Sequence, residues 1–418
     1  MKRIALALLT IAVLGLAALA AIEFNRADDG GQASAPVADA AAQVRAGAYL
    51  ARIGNCMGCH TVRGGREYAG GRALATPFGN IYAPNLTADK ATGIGAWTAD
   101  DFWQSMHNGR SKDGSFLYPA FPYPNYTKVT RVDADALFAY LQTVAPVVQP
   151  NRAHELDFPY NQRILLPFWR AFNFRQGEYQ AKPRQGGEWN RGAYLVQGLG
   201  HCSACHTGRN AMGGSIAESS LGGGMIPMQD WYAPPLGSTT SSAETAALLQ
   251  TGVSARGAVF GPMAEVVAGS LQHASAADIR SIAAYLATLP VPAAAARTTA
   301  AGGGAQEVLR QGARLYAEQC AQCHGDDGKG QPAVYPSLAA SRAVAADNPV
   351  NTIRMVLNGG YPPGTRGNPR PYGMPPFGTT LSDTEVAAVV SHLRASWGNQ
   401  GAPVAPREVS RLRGVPAE

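Results

Sequence analysis

The chain has 418 residues, enough for two to four ordinary domains, so a single small core is excluded. Charged residues make up only 15% and hydrophobic residues 46%, which excludes a disordered chain, while 48 glycines and 29 prolines indicate loop-rich domains with modest helices rather than a large sheet. The net charge of +6 is mild and comes with no dense Lys/Arg run, so we expect no nucleic-acid partner.

The N-terminal residues 1–22 predict export. Two basic residues precede an uncharged apolar run from Ile4 to Ile22, a pattern typical of a signal peptide or a membrane anchor. The run has 19 residues, close to the ~20 that span a bilayer, although Ala18-Leu19-Ala20 resembles a cleavage site. We favour an uncleaved anchor. In either case we expect the rest of the chain on the periplasmic side of a bacterial inner membrane.

The six cysteines form three pairs, and each pair is followed directly by a histidine. The three pentapeptides are Cys56-Met57-Gly58-Cys59-His60, Cys202-Ser203-Ala204-Cys205-His206 and Cys320-Ala321-Gln322-Cys323-His324. Two thiols three positions apart lie on one face of a helical turn and can add to the two vinyl groups of one haem. The adjacent histidine can then bind the iron as its proximal ligand. The sequence therefore predicts three covalently bound haems c.

Three other uses of the cysteine pairs explain this pattern less well. Disulfides would suit an exported protein, but they do not account for a histidine after every pair. A structural zinc site needs four ligands, normally from two converging pairs, and an odd number of pairs fits that poorly. A thioredoxin-like redox pair would follow a strand in a βαβ unit, and no such pattern surrounds any of the three.

Matching landmarks around the pentapeptides predict three copies of one helical domain. A first helix is predicted to start at the Gly-Ala pairs of Gly47, Gly192 and Gly312. A short helix then ends in glycine, at Phe102 to Gly109, Thr245 to Gly252 and Thr352 to Gly359. An amphipathic helix closes each copy, at Asp133 to Val144, Ser275 to Leu289 and Ser382 to Trp397. The predicted fold class is all-α, with three tandem cytochrome c domains behind the N-terminal segment.

The predicted domains occupy residues 40–149, 188–292 and 305–398. Aromatic residues in the first linker, 150–187, predict that it packs onto a domain; they are Phe158, Phe168, Trp169, Phe172 and Phe174. The second linker, 293–304, is an Ala/Gly tether that would let the third domain move more freely. The tail, 399–418, is predicted to be poorly ordered.

A loop with tyrosine and proline follows each pentapeptide. These three proline loops are Tyr82 to Leu86, Tyr232 to Leu236 and Tyr335 to Leu338. Their prolines, Pro84, Pro234 and Pro336, are candidates to accept a hydrogen bond from the proximal imidazole and so to orient its ring. The alternative is that they are ordinary turn prolines.

The sixth iron ligand of a c-type haem is usually methionine or histidine. In the third domain we predict Met374, which lies in a Gly/Pro loop 15 residues past Gly359. In the second domain we predict Met263, 11 residues past Gly252, in preference to two methionines that precede the proline loop.

The first domain lacks a methionine at the matching position. Phe121 stands there, 12 residues past Gly109, and phenylalanine cannot bind iron. His107 is the favoured replacement because imidazole binds iron well and no other use for this histidine is evident. Met106 and an open iron site remain as alternatives. The other four histidines, His154, His201, His273 and His392, are expected to lie at the surface or behind a ligand.

With these residues in view, the chain resembles the triple-haem cytochrome c subunits of membrane-bound bacterial alcohol, aldehyde and gluconate dehydrogenases. The resemblance runs from about Val44 to Trp397 and is most specific at His107 to Gly114, Leu117 to Tyr126 and Gly192 to Arg209. The quinoprotein alcohol dehydrogenase branch carries methionine where this chain has Phe121. The chain is more similar to the branch that accompanies molybdenum hydroxylases, in which molybdopterin and iron–sulfur subunits oxidise the substrate.

This resemblance implies an electron-transfer subunit, not the catalytic subunit, of an oxidoreductase complex. Its expected partners are a dehydrogenase catalytic subunit and a membrane quinone or a terminal oxidase. Two alternatives stay open. The chain could be a haem enzyme that reduces peroxide at an open first iron, or a free-standing carrier that serves several dehydrogenases.

Overall fold

The computed structural model describes residues 39–237, 241–291, 303–332 and 334–415, together with 3, 14, 15, 18 and 21–23. Within this described part, no helix has both the length and the apolar character that a bilayer crossing requires. The predicted signal or anchor segment, 1–22, and the tether, 293–304, lie mostly outside the described residues.

The chain is mostly helical, at 45%, as the sequence predicts. It forms two compact units. The first comprises Met1–Gly186, Ala193–Ala204 and Arg209–Ala217, and the second comprises Gly187–Gly192, Cys205–Gly208 and Glu218–Glu418. Short antiparallel strands, which were not predicted, accompany the helices in both units.

The first unit is built around the packing of two long helices, Ala40–Ile53 and Arg131–Leu141. Its helices are α1 Ala40–Ile53, α2 Cys56–His60, α3 Ala99–Asn108, α4 Tyr123–Tyr126, α5 Arg131–Leu141 and α6 Leu166–Asn173. Its strands β1 Ala73–Thr76, β2 Gly79–Tyr82 and β3 Glu155–Leu156 form one sheet in that order. Asp39 caps α1 by accepting a hydrogen bond from the Ala42 N–H at 2.9 Å, and Thr98 begins α3 with a capping box. Leu50 and Leu137 lie in the core between α1 and α5.

Two helices, α7 Gly187–Gln197 and α8 Ser203–His206, are divided between the first and second units. The remaining helices are α9 Ser242–Thr251, α10 Pro262–Gly269, α11 Ala276–Leu286, α12 Gly303–Gln319, α13 Ala321–His324, α14 Arg342–Ala345, α15 Val350–Asn358, α16 Asp383–Ala395 and α17 Pro406–Arg413. The strand pairs are β4 Gly224–Ile226 with β5 Trp231–Ala233, and β6 Val253–Ser254 with β7 Gly257–Ala258. The short and closing helices of all three predicted copies are therefore present near their expected bounds.

The expectation that a Gly-Ala pair starts each first helix is wrong. Gly47, Gly192 and Gly312 lie inside α1, α7 and α12. A Cβ atom on Gly47 would lie 1.9 Å from the Ala136 carbonyl oxygen, and one on Gly312 would lie 2.2 Å from that of Ala388. These glycines lack a side chain because the closing helix crosses the first helix there at close range.

The predicted disorder of the tail 399–418 is also wrong for its described part. Helix α17 lies within it and buries Val409 and Leu412 in the core formed by α12, α15 and α16. Arg413 at its end donates to the Asp383 carboxylate at 2.7 Å. An isolated helix of this length is marginal in water, so this packing is what stabilises it.

The third predicted domain packs against the second, contrary to the expectation that it would move more freely. The Asn351 side chain on α15 bonds to both backbone groups of Tyr232. Farther along, Thr365 donates its hydroxyl to the Thr251 carbonyl at 2.9 Å. Both contacts lie within the second unit, which contains the third predicted domain and most of the second.

The first linker packs onto the first unit only in part. Phe174 is fully buried and meets the Tyr123 ring at 5.1 Å, as predicted. Phe158 and Phe172, by contrast, are 80% and 65% exposed. The buried face of α6 instead carries Arg170, which is 1% exposed and forms an ion pair with Glu23 at 3.3 Å.

Candidate haem-attachment sites

The first pentapeptide forms a single helical turn, α2, that presents its two thiols and its imidazole together. Asn55 precedes the turn in a left-handed conformation, φ 51°, and redirects the chain after α1. At the end of the turn, His60 Nδ1 lies 2.8 Å from the Pro84 carbonyl oxygen. A carbonyl oxygen can only accept, so Nδ1 carries the proton and the lone pair of Nε2 is left available to a metal.

The same contact recurs at the other two pentapeptides. His206 Nδ1 lies 2.7 Å from the Pro234 carbonyl oxygen, and His324 Nδ1 lies 3.0 Å from that of Pro336. The three predicted hydrogen bonds between histidine and proline carbonyl are thereby confirmed. Burial lowers the pKa of all three histidines, which keeps the imidazoles neutral, as metal ligation requires.

The six cysteines are thiols that lie in pairs. All six are among the described residues, and none forms a disulfide. Burial, reinforced by the neighbouring Cys59, raises the pKa of Cys56 to about 12, and burial raises that of Cys320 to about 11. Among the residues that the structure describes, no three His, Cys, Asp or Glu side chains gather into a metal cluster. Paired thiols next to an oriented, neutral imidazole fit the attachment of haem c.

Two arginines that were not predicted hold the backbone inside the first two pentapeptides. Arg72 donates to the Gly58 carbonyl at 2.5 Å, and Arg209 donates to the Ala204 carbonyl. Each carbonyl belongs to the residue just before the second cysteine. The two arginines lie at different distances along the chain from their pentapeptides, so the repeat pattern gave no signal for them.

A tyrosine near the first cysteine pair was also missed. Burial, and then the nearby Cys56 and Cys59 thiols, raise the pKa of Tyr126 well above its usual range. The Tyr126 ring packs at 5.2 Å from Phe121, the residue that replaces methionine. An aromatic pair therefore occupies this side of the first site.

The predicted sixth ligands lie in three different settings. Met374 pairs with Gly360 through two backbone hydrogen bonds of 3.0 and 2.8 Å. Met263 lies in the first turn of α10. His107 is fully buried on α3, and its ring stacks on Trp103 at 4.2 Å with an interplanar angle of 12°. Iron ligation by these three residues stays a prediction.

One of the other histidines supports a proline loop. The Tyr82 N–H donates to His154 Nδ1 at 3.2 Å, two residues before Pro84. His154 therefore supports the loop that orients His60, which is one of the two settings predicted for it.

Two family models match the chain. Residues 44–145 match cytochrome c, and residues 307–393 match cytochrome c oxidase, cbb3-type, subunit III. The chain is also 38% identical over 424 aligned residues to the gluconate 2-dehydrogenase cytochrome c subunit of Pantoea cypripedii, an alignment that covers 96% of this chain and 93% of that protein. The chain belongs to this family of dehydrogenase cytochrome c subunits.

Other relatives of this cytochrome subunit agree. It is 37% identical to the cytochrome c subunit of the quinone alcohol dehydrogenase of Gluconacetobacter polyoxogenes, over 91% of its own length and 86% of that protein. It is 42% identical over 364 residues to a subunit of the nicotinate dehydrogenase of Pseudomonas putida, of which it covers only 30%. The cytochrome subunit therefore carries covalently bound haem c, transfers electrons and works with the catalytic subunit of a dehydrogenase.

Proposed function

We propose that the chain is a triple-haem electron relay with three tandem cytochrome c domains, at residues 40–149, 188–292 and 305–398. The thioether positions are Cys56, Cys59, Cys202, Cys205, Cys320 and Cys323, and the proximal ligands are His60, His206 and His324. Each haem c, when bound, supplies a one-electron iron couple. The chain's own residues hold the thiols together on a turn and fix the imidazole by its Nδ1–H.

The observation that carries this proposal is the threefold recurrence of the hydrogen bond between histidine and proline carbonyl. Its length varies only from 2.7 to 3.0 Å across the three pentapeptides. Such a partner fixes the tautomer and the ring plane of a metal-binding histidine. A chance arrangement would not orient three imidazoles in the same way, so the number of haems is expected to be three.

The test is a count of haem per chain. Absorption spectra of the alkaline pyridine complex should give three c-type haems, and each double Cys→Ala variant, such as C320A/C323A, should retain two. Protein matured with a full haem-attachment system but holding well under three irons would contradict the proposal. So would a variant that loses one cysteine pair and still binds three haems.

The proposed sixth ligands are Met374 for the third haem, Met263 for the second and His107 for the first. A second imidazole lacks the potential-raising effect of methionine, so the first haem should have the lowest midpoint potential. His107→Ala should convert one haem to a high-spin form that binds carbon monoxide. An unchanged low-spin spectrum would exclude His107.

Met263 can be tested against a matched control. Met263→Ala should open the second iron to carbon monoxide. Met228→Ala, at an exposed methionine that precedes the second proline loop, should leave the spectrum unchanged. Equal responses of the two variants would exclude Met263 as the ligand.

The proposed partner is the catalytic subunit of a molybdenum hydroxylase or quinoprotein dehydrogenase, and the proposed acceptor is membrane quinone or a terminal oxidase. The identity with the nicotinate dehydrogenase chain and the presence of Phe121 support the first type of partner. Segment 1–22 supports a periplasmic location at the inner membrane. Co-purification of the full chain with a molybdenum-containing subunit tests the partner, and a quinoprotein in its place would exclude the molybdenum type.

A further inference from the structure

The three proline loops are held in place by different parts of the chain. The first is held by residues that follow its own closing helix. His154 accepts from the Tyr82 N–H, and Asn151 accepts from the Asn85 N–H at 2.7 Å. The third is also held from within its own predicted domain and the adjoining tail. Leu338 donates its N–H to the Gly328 carbonyl at 2.7 Å and accepts from the Asn399 amide at 2.8 Å.

The second proline loop is held by its own β4–β5 pairing and, in addition, by the next predicted domain. Asn351 on α15 accepts from the Tyr232 N–H at 2.9 Å and donates to the Tyr232 carbonyl at 2.7 Å. On the other side, Arg342 on α14 donates to the Pro235 and Gly237 carbonyls at 3.0 and 2.6 Å. These four hydrogen bonds bracket Pro234, whose carbonyl accepts from His206.

The neighbouring ring is held as well. The Arg354 guanidinium, also on α15, is buried and lies 4.6 Å from the centre of the Trp231 ring. A buried cation stacked on an indole is among the stronger contacts of this kind. The strand that leads into Pro234 is therefore fixed through both its backbone and a side chain.

We propose that Asn351 and Arg342 are positioning residues for the proximal ligand of the second haem. By fixing the backbone on both sides of Pro234, they hold its carbonyl against His206 Nδ1. The second haem site is thus completed by the third domain. This inference rests on the proposed function, because it requires a haem at Cys202 and Cys205 with His206 as its ligand.

We expect these residues to affect the midpoint potential of the second haem. A hydrogen bond from Nδ1 makes the imidazole a stronger donor to iron, which favours the oxidised state. Loosening the loop lengthens that bond and should therefore favour the reduced state of the second haem alone. In Asn351→Ala we expect the ratio of reduced to oxidised second haem, at a fixed ambient potential, to rise about threefold. At 59 mV per tenfold for one electron, this is an upward shift of about 28 mV.

The experiment is a spectroelectrochemical titration of the full haem-loaded chain. The wave that is absent from C202A/C205A is assigned to the second haem. Asn351→Ala changes no charge. Arg342→Lys keeps the charge but cannot reach both carbonyls, and it serves as a second variant with a smaller shift in the same direction. The matched control is Gln272→Ala, which removes a different contact between these domains, the 3.3 Å bond from the Arg366 N–H, without touching the loop.

A shift confined to the second haem in Asn351→Ala and Arg342→Lys, and absent from Gln272→Ala, supports the inference. An unchanged second-haem potential in both variants overturns it. An equal shift in all three haems, or in the Gln272 control, also overturns it, because that would report general loosening. Failure of the proposed function looks different, since mass spectrometry would then find no haem on Cys202 and Cys205 in the unaltered chain.

Discussion

The crossing of α12 and α16 gives a sharp test of the packing argument. In Gly312→Ala, the new methyl group would lie 2.2 Å from the Ala388 carbonyl oxygen and 2.8 Å from the His392 Cβ. Comfortable contacts begin near 3.5 Å, so the helices must separate by more than 1 Å. The substitution should therefore push apart the two helices that form most of this core.

The expected change in the free energy of unfolding is the difference between two opposing effects. Overpacking a core costs about 1–3 kcal/mol, and the upper end applies because the obstacle is backbone. Alanine regains about 1 kcal/mol of helix propensity over glycine. We expect a net loss of about 2 kcal/mol, which corresponds to a fall of about 4–8 °C in the melting temperature of a folded unit of roughly 150–250 residues.

The assay is calorimetry of the haem-loaded chain together with hydrogen exchange of α12 peptides. Gly304 in the same helix is the matched control, because a Cβ atom there meets nothing within 4 Å. Gly304→Ala should be neutral or stabilising by up to about 1 kcal/mol. The close-crossing argument would be refuted if the Gly312→Ala protein had the same melting temperature as the unaltered chain. It would also be refuted if the Gly304→Ala control were equally destabilised.

Three further outcomes are expected in the first unit. Arg170→Met should lower the free energy of unfolding by about 3 kcal/mol in urea denaturation, because it removes the buried guanidinium that forms an ion pair with the Glu23 carboxylate; a loss below about 1 kcal/mol would contradict this. Burial lowers the pKa of His154, so its contribution to stability is complete above pH 6.5 and is lost as the pH falls through the lowered value. His154→Gln, which keeps an acceptor for Tyr82, should flatten that pH dependence, and an unchanged slope would exclude it as the cause. Phe121→Met should supply a thioether that replaces His107 on the first iron and raises the lowest midpoint potential in a redox titration; an unchanged potential would show that the thioether does not replace the imidazole.

Much of the site could be predicted because its signals are local in sequence. The histidines of the pentapeptides and the prolines that follow them lie within 28 residues of each other, and the Tyr-and-Pro loop after each pentapeptide made its proline a candidate partner for that histidine. The short helices were predicted near their true ends because Gly109 and Gly252 end them in a left-handed conformation.

The rest could not be predicted because its causes are tertiary. A glycine before a haem motif looks the same whether it starts a helix or permits a crossing, and only the position of Ala388 distinguishes the two for Gly312. Helix α17 has too short a pattern to stand out, and its order depends on burying Val409 and Leu412. The contact between Asn351 and Tyr232 spans 119 residues and leaves no local trace.

That long span has a consequence for the order in which the molecule is assembled. The hydrogen bonds between histidine and proline carbonyl join residues only 24, 28 and 12 positions apart, so each can form soon after its stretch of chain emerges. The bonds from Asn351 wait until a further 119 residues have followed Tyr232, and contacts of high sequence separation form late. The second pentapeptide therefore reaches its final geometry only after the third pentapeptide has also emerged.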